Sequence, residues 1–330
     1  MNEKIKFVII GSGNIANTYV SAIRKIEKAE VVAFVSRQSE KTTALENLPV
    51  FHSLDSVNIE FHAVIICTPN GLHHIGAVEA AQLKKHILCE KPIDISTKAI
   101  DEMISACQQN NVKLGVTYQR RYSSDNPVVK KLIDQGKLGK IFSVDLSVKN
   151  YRDDTYYNSS AYRGTWDIDG GGPFIQQASH YIDLYYWFFG RPQKLVSSMG
   201  TFVHNIEVED HGAVICVHPE GMIGTITAST ATKPGFPAKL EIYTDKGFLV
   251  MENDVITRWE IEGTENPSVV KSAMNQHTGS ATAVVNDTSN HEFIIQDFVD
   301  AIRLNKEPLI TGESARHATE IILEIYKNRF

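Results

Sequence analysis

A glycine loop between an apolar strand and a helix constrains the fold of this chain more than any other feature. Residues 4–10 predict a buried strand, and Gly11-Ser12-Gly13-Asn14-Ile15-Ala16 follows directly. Apolar side chains then recur at a spacing of three and four, which is typical of a helix. Gly11 permits a tight turn, Gly13 lets the backbone approach a diphosphate, and Ala16 allows the helix to pack closely on the strand. The loop therefore predicts a dinucleotide site at a helix N-terminus.

Strands and helices alternate through the rest of the first half of the chain. The predicted strands are residues 31–35, 63–67, 86–88 and 113–118, and the clearest helix covers residues 96–109. Such alternation is typical of a doubly wound parallel sheet. We therefore expect an α/β protein whose N-terminal domain is a Rossmann-type sheet.

The residues after the second predicted strand indicate which dinucleotide binds. A site that prefers NAD usually has an acidic residue there, which binds the ribose 2′-hydroxyl. This chain has Ser36 and Arg37 instead, and an arginine pairs well with a phosphate dianion. The pattern favours NADP over NAD, and an arginine on a surface turn is the alternative interpretation.

Two short motifs follow strands of the same predicted sheet. Thr68-Pro69-Asn70 follows the strand at 63–67, and Glu90-Lys91-Pro92 follows the strand at 86–88. Open α/β sheets bind their ligands at the carboxyl ends of the strands. Taken alone, Lys91 is also compatible with a surface turn beside an ion-pairing Glu90. The sheet edge that it shares with the glycine loop favours a functional lysine.

The pattern changes near residue 120, where longer alternating strands take over. They are predicted at residues 141–149, 195–204, 212–218, 222–229, 238–244 and 247–251. This pattern predicts an open, mostly antiparallel sheet with helices on one face. We divide the chain into residues 1–120, which bind the dinucleotide, and residues 121–330. Residues 292–304 and 313–327 predict closing helices, and the polar stretch 262–290 predicts a loop or lid.

A triple glycine, Gly170-Gly171-Gly172, precedes an apolar helix predicted at residues 174–189. Helical spacing places four side chains along one face of it: Gln176, His180, Asp183 and Trp187. Polar side chains are costly to bury without partners, so His180 is either a hydrogen-bonded core histidine or a functional one. The glycines suit the close approach of a ligand. Residues 151–169 are rich in the polar and aromatic side chains that bind polyhydroxylated ligands.

Composition and charge exclude several classes of function. A net charge of −6, with no dense basic stripe, argues against nucleic-acid binding. No apolar run reaches the roughly 18 residues that span a bilayer, and the N-terminal run is too short for a signal peptide. The four cysteines share no metal-ligand spacing. We therefore expect a cytoplasmic protein with reduced thiols, no metal site and no membrane partner.

Together these motifs resemble the Gfo/Idh/MocA family of nucleotide-dependent oxidoreductases. The motifs that share that family's order and spacing are the glycine loop, the two strand-end motifs, the segment Gln119-Arg120-Arg121-Tyr122 and the helix with His180. The resemblance implies a Rossmann domain followed by an α/β domain whose open sheet often forms the oligomer interface, in a homodimer or homotetramer. It also implies reversible hydride transfer between NAD(P) and a ring hydroxyl of a sugar, nucleotide sugar or cyclitol.

The resemblance also implies the roles of individual residues. The family's lysine contacts the reacting hydroxyl and its histidine serves in proton transfer or substrate binding, so Lys91 and His180 are the expected catalytic pair. The expected cofactor-binding residues are Gly11, Ser12, Gly13, Asn14, Ile15, Ser36, Arg37, Thr68, Pro69, Asn70, His73, Glu90, Lys91 and Gln119. The expected substrate contacts are Arg120, Tyr162, Arg163, Trp166, Gln176 and Asp183.

One position departs from the family pattern. The helix often carries Asp-x-x-x-His, and Gln176 stands at the position of the aspartate, so an Asp–His relay is lost. An ordinary histidine has a pKa of ~6.5 and an ordinary lysine one of ~10.4. His180 is thus the easier base near neutral pH, with Lys91 polarising the substrate oxygen. A lysine whose pKa is lowered by the nicotinamide cation is the alternative base.

Two other classes of protein share this fold. Some glycosidases use bound NAD in a cycle of oxidation, elimination and re-reduction, and the yeast galactose-pathway repressor resembles the family without dehydrogenase chemistry. Both Lys91 and His180 are present, which favours an enzyme over a regulator that needs neither. The stretch 162–166 with Gln176 also resembles UDP-N-acetylated sugar dehydrogenases, and the substrate stays open.

Overall fold

The chain forms two structural units, and the first is built from two separate stretches of sequence. The structure, a computed structural model, describes residues 3–37, 48–268 and 287–330. One unit comprises residues 1–119 and 284–319, and the other comprises residues 120–283 and 320–330. The predicted division of the chain at residue 120 does not include the return of the chain to the first unit, since residues 284–319 belong to that unit. The binding roles that we assigned to the two parts of the chain stay predictions.

Six parallel strands form the sheet of the first unit. They are β1 Ile5–Ile10, β2 Ala29–Val35, β3 Val50–Phe51, β4 Ala63–Ile66, β5 His86–Cys89 and β6 Leu114–Val116. Their spatial order is β3-β2-β1-β4-β5-β6, and each neighbouring pair is parallel. Strand β4 is apolar and buried along its whole length, as expected for a sheet that is covered on both faces. The predicted doubly wound parallel sheet is confirmed.

The described helices belong to both units. They are α1 Asn14–Ile23, α2 His73–Gln82, α3 Thr97–Gln109, α4 Asn126–Asp134, α5 Asp154–Asn158, α6 Pro173–Gln176, α7 Ser179–Phe189, α8 Ser289–Arg303 and α9 Gly312–Lys327. Helix α8 packs on β6 of the first unit, where a Cβ at Gly115 would lie 2.8 Å from the ring of Phe298. Glycine therefore leaves room for this helix. Within the described ranges, no helix is both long and apolar enough to cross a membrane.

A mixed sheet forms the second unit. Its strands are β7 Ile141–Lys149, β8 Lys194–Gly200, β9 His211–Val217, β10 Ile223–Ser229, β11 Lys239–Thr244, β12 Gly247–Glu252 and β13 Val255–Ile261. Their spatial order is β13-β12-β11-β7-β10-β9-β8. Only the β7–β10 pair is parallel among these seven described strands, so the mostly antiparallel sheet is confirmed. Sequence analysis missed β13 because this edge strand alternates irregularly between buried and exposed positions.

The helix predicted at residues 174–189 is divided in two. Helix α6 ends at Gln176 and α7 begins at Ser179, with Ala178 as its N-cap. The hydrogen-bond ladder breaks because the Pro173 carbonyl accepts from the N–H groups of both Gln177 and Ala178. The prediction that Gln176 shares one helical face with His180 and Asp183 is therefore wrong.

The predicted loop or lid at residues 262–290 is described only at its two ends. Residues 264–268 have no regular secondary structure, and residues 269–286 lie outside the described residues. Helix α8 begins at Ser289, three residues before the predicted start of that helix.

A buried ion pair joins the turn at Gln119–Tyr122 to helix α7 within the second unit. Arg121 donates from Nε to Asp183 Oδ2 at 2.7 Å and from Nη2 to Oδ1 at 2.5 Å. The side chains of Arg121 and Asp183 are 4% and 1% exposed. Two parallel bonds between planar groups fix both the position and the orientation of the partners. Asp183 therefore orients the helix that carries His180.

Replacing Asp183 with alanine is expected to destabilise the protein strongly. The substitution leaves the Arg121 guanidinium buried without this carboxylate, which costs about 3–5 kcal/mol. Urea unfolding followed by circular dichroism measures the loss. The control is Asp134→Ala, which breaks the i,i+4 pair with Lys130 on the surface and is expected to cost about 0.5 kcal/mol or less. Wild-type stability in Asp183→Ala would contradict the anchoring role and leave Asp183 as a substrate contact only.

Candidate active site

The glycine loop has the geometry of a phosphate cradle. Gly11 has a φ of +111°, and a Cβ there would lie 2.6 Å from the carbonyl oxygen of Cys67. A Cβ at Gly13 would meet no atom within 4 Å, so the space above Gly13 is open. Gly13 is also the N-cap of α1, which no side chain caps within the described ranges. The first N–H groups of α1 are thus directed into open space, where they suit a diphosphate.

The parallel register brings three motifs to one edge of the sheet. Ile10, the last residue of β1, pairs with Ile66 of β4, and Ile66 pairs with Cys89 of β5. The residues that follow these strands are Gly11, the Thr68 motif and Glu90-Lys91. The sequence-based expectation that they share an edge agrees with this register.

Glu90 holds the backbone next to Lys91. Its Oε2 accepts from the Lys91 N–H at 3.0 Å, and its Oε1 accepts from the Tyr19 hydroxyl at 2.7 Å. Tyr19 lies on α1, behind the glycine loop, and its ring packs edge-on against His291 at 5.5 Å. Burial, with the adjacent Glu90 carboxylate, raises the pKa of Tyr19 well above its usual value, so its hydroxyl stays a donor. Glu90 therefore joins the lysine motif to the glycine-loop helix.

His73 joins the two other strand-end motifs. Its Nδ1 lies 2.9 Å from the carbonyl oxygen of Pro92, and its Nε2 lies 2.9 Å from that of Thr68. Carbonyl oxygens only accept hydrogen bonds, so a ring nitrogen that carries a proton donates to the carbonyl that it faces. The residue is 1% exposed. The ring thus fixes the spacing of the two motifs, and its predicted contact with a cofactor stays a prediction.

Two predicted cofactor contacts carry buried polar atoms that no described residue satisfies. Thr68 Oγ1 and Gln119 Oε1 are buried and have no hydrogen-bond partner among the described residues. Buried polar atoms are nearly always paired, so each exception asks for an explanation. Hydrogen bonds to a bound ligand would satisfy both atoms. Together with the open space at Gly13, these atoms fit a dinucleotide.

The two residues after β2 are Ser36 and Arg37, where an NAD site usually has an acidic residue. Ser36 Oγ lies 2.9 Å from Ser12 Oγ of the glycine loop. Arg37 follows and is exposed. The hydroxyl pair links the loop to the end of β2, and the guanidinium stands beside it in solvent.

In the second unit, the candidate base lies at the beginning of a helix. His180 is the second residue of α7 and is partly exposed. Gln176, at the end of α6, donates from Nε2 to the Asp169 carbonyl at 2.7 Å. This bond orients the amide, whereas the predicted contact with substrate stays a prediction.

The triple glycine has a different purpose from the predicted one. A Cβ at Gly171 would lie 2.2 Å from the Tyr326 hydroxyl, and a Cβ at Gly172 would lie 1.8 Å from the Glu209 carbonyl oxygen. The glycines are therefore required by neighbours within the protein. We expected these glycines to allow a ligand to approach closely. At Gly171 and Gly172, Tyr326 and Glu209 occupy that space instead.

The aromatic and basic side chains near α5 form a cluster around Arg163, and Trp166 packs elsewhere. The Arg163 guanidinium lies 4.3 Å from the Tyr156 ring centre, and its Nε donates to Ser159 Oγ at 2.9 Å. Trp166 donates from its indole nitrogen to the Glu207 carbonyl at 3.1 Å and packs edge-on against Tyr326 at 5.1 Å. Trp166 thus has a packing role, and its predicted substrate contact stays a prediction, as do those of Tyr162 and Arg163.

Arg120 lies beside the residue that follows His180. It forms an ion pair with the buried Asp254, and its guanidinium lies 4.6 Å from the ring centre of Tyr181. Its side chain stays 31% exposed, so a contact with substrate is compatible with this position.

Sequence analysis missed the residues that hold these segments in place. Arg121, Glu209, Asp254 and Tyr326 carry no local pattern that distinguishes them from ordinary surface residues. Each acts on a partner distant in sequence, for example Tyr326 on Glu209. The consecutive glycines were the one local signal that something packs closely at residues 171 and 172.

Comparison with known families identifies both parts of the chain. Residues 5–118 match the GFO/IDH/MocA oxidoreductase family with an NAD-binding Rossmann fold. Residues 128–250 match a C-terminal domain of the same family.

Similar proteins cover almost the whole chain. The WlbA dehydrogenase of Bordetella pertussis, solved with NADH and UDP-GlcNAcA, is 27% identical with a TM-score of 0.86, over 99% of this chain and 96% of that one. The uncharacterized oxidoreductase YrbE of Bacillus subtilis is 25% identical over 97% and 93% of the two chains. Inositol 2-dehydrogenase of Rhizobium meliloti is 23% identical over 93% and 92%. With both of its parts matched, the chain belongs to the GFO/IDH/MocA family of oxidoreductases.

Proposed function

We propose that this protein is an NAD(P)-dependent dehydrogenase or reductase that acts on a ring CH–OH group of a carbohydrate-like substrate. The observation that carries the proposal is the position of Lys91, one residue beyond Glu90 at the sheet edge of the glycine loop. Lys91 is half-buried between the buried Glu90 and Pro92, and Glu90 and His73 hold this motif more firmly than a surface turn requires. Sugar and inositol dehydrogenases among the similar proteins support the same chemistry.

The side chains divide the reaction into two tasks. The nicotinamide, when bound, supplies the hydride acceptor. Lys91 polarises the substrate oxygen and stabilises the negative charge that develops on it. His180 accepts the hydroxyl proton, since Gln176 has no basic group. Thr68 and Gln119 would hold the cofactor through their unsatisfied oxygens.

We further propose that the substrate carries an anionic group, as a nucleotide-linked or acidic sugar does. The Arg163 guanidinium lies 4.3 Å from the ring centre of Tyr156 and 5.8 Å from that of Tyr162. In the described part of the chain, it pairs with a hydroxyl rather than with a carboxylate. Tyr156 accepts a hydrogen bond from Gln177 at 3.4 Å, so this cluster adjoins the Gln176 segment. The UDP-GlcNAcA bound to WlbA has both a diphosphate and a carboxylate.

Replacing Lys91 with alanine is expected to abolish turnover while cofactor binding persists. A panel of inositols, free sugars, sugar phosphates and UDP-linked N-acetylated sugars is assayed with both cofactors by absorbance of the reduced nicotinamide. Wild type should act best on an anionic member, and Lys91→Ala should lose at least about 100-fold in kcat. Fluorescence titration with NADH or NADPH should give a nearly unchanged Kd. Lys98→Ala, on the exposed surface of α3, is the matched control.

The same panel contains the contradicting outcomes. Full activity in Lys91→Ala would remove the lysine from the mechanism. Turnover of neutral sugars or inositols alone would contradict the anionic substrate and leave hydride transfer in place. Release of an aglycone without net reduction of the cofactor would indicate a glycosidase, and a silent panel with tight cofactor binding would indicate a regulator.

We propose that NADP is the preferred cofactor. Arg37 is exposed directly after β2, beside the Ser12–Ser36 hydroxyl pair. The 2′-phosphate of NADP would give this guanidinium a dianionic partner. WlbA was solved with NADH, but it is only 27% identical to this chain. The preference of this chain is therefore tested at Arg37.

Arg37→Ala is expected to raise the KM for NADP by about 10- to 100-fold, because a hydrogen bond to a charged group contributes about 1.5–3 kcal/mol. The KM for NAD should change little. Lys28→Ala, which removes an exposed positive charge from the same unit, should leave both values unchanged. Equal losses for NAD and NADP in Arg37→Ala would contradict the proposed preference.

We propose that the protein is a homodimer or homotetramer that works in the cytoplasm, with the open face of the second sheet as its interface. Val196 of β8 pairs with Ile215 of β9, and the two are 48% and 55% exposed. Val217 pairs with Ile223 of β10, and they are 37% and 51% exposed. Adjacent exposed apolar pairs on one face are typical of a subunit contact.

Ile215→Asp is expected to dissociate the oligomer, since it introduces a charge into that apolar face. Analytical ultracentrifugation should show a multimer for wild type and a monomer for the variant. Gln135→Asp, an equal change of charge at the end of α4, should leave the mass unchanged. A monomeric wild type, or a variant that stays assembled, would contradict the proposed interface.

A further inference from the structure

A buried carboxylate lies beneath the segment that leads to His180. Glu209 is 3% exposed, and its Oε2 accepts from the Gly172 N–H at 3.0 Å. Its Oε1 accepts from the Tyr326 hydroxyl at 3.0 Å and from the Phe174 N–H at 3.4 Å. These donors come from the triple-glycine segment and from the C-terminal helix α9. One side chain thus connects two parts of the chain that are far apart in sequence.

The backbone that Glu209 holds leads directly to the candidate site. The Gly172 carbonyl accepts from the Gln176 N–H at 3.0 Å, and the Pro173 carbonyl accepts from Ala178 at 2.8 Å. Ala178 is the N-cap of α7, and its carbonyl accepts from Ile182 at 2.8 Å. A shift of Gly172 or Phe174 would therefore move Gln176 and the first turn of α7, where His180 lies.

Close packing at two glycines brings the backbone of this segment against Glu209 and Tyr326. A side chain at Gly171 would collide with Tyr326, and one at Gly172 would collide with the backbone of Glu209. Glycine at these positions lets the backbone approach the Glu209 carboxylate. Glycine has no side chain, however, that could hold the backbone in place by packing. Two hydrogen bonds, from the N–H groups of Gly172 and Phe174, connect the segment to Glu209 instead.

Burial of this carboxylate is unfavourable for the folded protein. Desolvation raises the pKa of Glu209 to about 7, and the hydrogen bonds from Gly172, Tyr326 and Phe174 only partly oppose it. An apolar side chain would avoid this penalty, but it could not accept the three donors. A group that is retained against its own cost to stability is a candidate for a role in function.

We propose that Glu209 is a positioning residue that, with Tyr326, sets the placement of His180 and Gln176 through the segment 170–178. The inference rests on the proposed dehydrogenase function, because it assigns these two side chains to the reacting site. Glu209 acts through the backbone and does not itself need to touch the substrate. The Tyr326 ring supports the same segment, packing edge-on against Phe174 at 6.3 Å.

Three variants separate positioning from general stability. Glu209→Gln keeps the shape of the side chain, but its amide nitrogen cannot accept a hydrogen bond. Tyr326→Phe removes one donor and keeps the ring. Ser197→Ala is the matched control, because it deletes a buried hydroxyl bonded at 2.6 Å to the carbonyl of Ile325, next to Tyr326, without touching Glu209.

The expected result is a loss in kcat rather than in cofactor binding. Displacement of a reacting group by about 1 Å costs on the order of 100-fold, so Glu209→Gln should lower kcat by about 10- to 100-fold with an unchanged Kd for NADPH. Tyr326→Phe should lower kcat less, and the double variant should lose less than the two single losses multiplied together. Ser197→Ala should keep wild-type kcat. Hydrogen–deuterium exchange in a peptide covering residues 169–180 should quicken in Glu209→Gln and stay unchanged in Ser197→Ala.

The positioning role would be overturned if Glu209→Gln kept the kcat of wild type, or if Ser197→Ala lost as much kcat as Glu209→Gln. Neither result would affect the proposed function, provided that the wild-type protein turns over a substrate. Unchanged exchange of residues 169–180 in Glu209→Gln would overturn the positioning role as well. A wild type that turns over no member of the panel would contradict the proposed function instead. The exchange measurement needs no turnover, so it still decides whether Glu209 holds the segment.

Discussion

The parallel register of β1, β4 and β5 is the constraint on which the cofactor-binding half of the account depends. Because Ile10, Ile66 and Cys89 pair across neighbouring strands, the residues that follow them must emerge at one edge. Glu90 and His73 then fix this edge locally, through the Lys91 N–H and through the carbonyls of two separate turns. The backbone position of Lys91 is thus set by the register of the sheet and by the hydrogen bonds of Glu90 and His73.

Glycines in this chain meet two different physical requirements. Gly13 has open space above it and leaves room for something that is not part of the protein. Gly171 and Gly172 have no such space, because Tyr326 and Glu209 occupy it. The sequence shows the same residue type in both places, and only the surroundings distinguish a ligand cradle from close internal packing. Ligand binding is therefore the stronger interpretation at the first motif and the weaker one at the second.

Much of the fold was predictable because its signals are local. Apolar runs that end in Gly-x-Gly, Thr-Pro-Asn or Glu-Lys-Pro predicted β1, β4 and β5, and the predicted β7 agrees with Ile141–Lys149 at both ends. The break between Gln176 and Ser179 was not predictable, because it arises from a carbonyl of Pro173 that accepts two N–H groups. The Arg121–Asp183 pair and the Glu209 hydrogen bonds join residues distant in sequence. Their side chains therefore looked like ordinary charged residues until the fold brought them together.

The central claim is that a hydride passes directly between a ring carbon of the substrate and the nicotinamide. The most direct test uses the best substrate of the panel, deuterated at the carbon that bears the reacting hydroxyl, with mass spectrometry of the cofactor after one turnover. Wild type should place one deuterium on the reduced nicotinamide, and Lys91→Ala should place none under the same conditions. A product that forms while the deuterium stays on the sugar, or passes into water, would contradict direct hydride transfer.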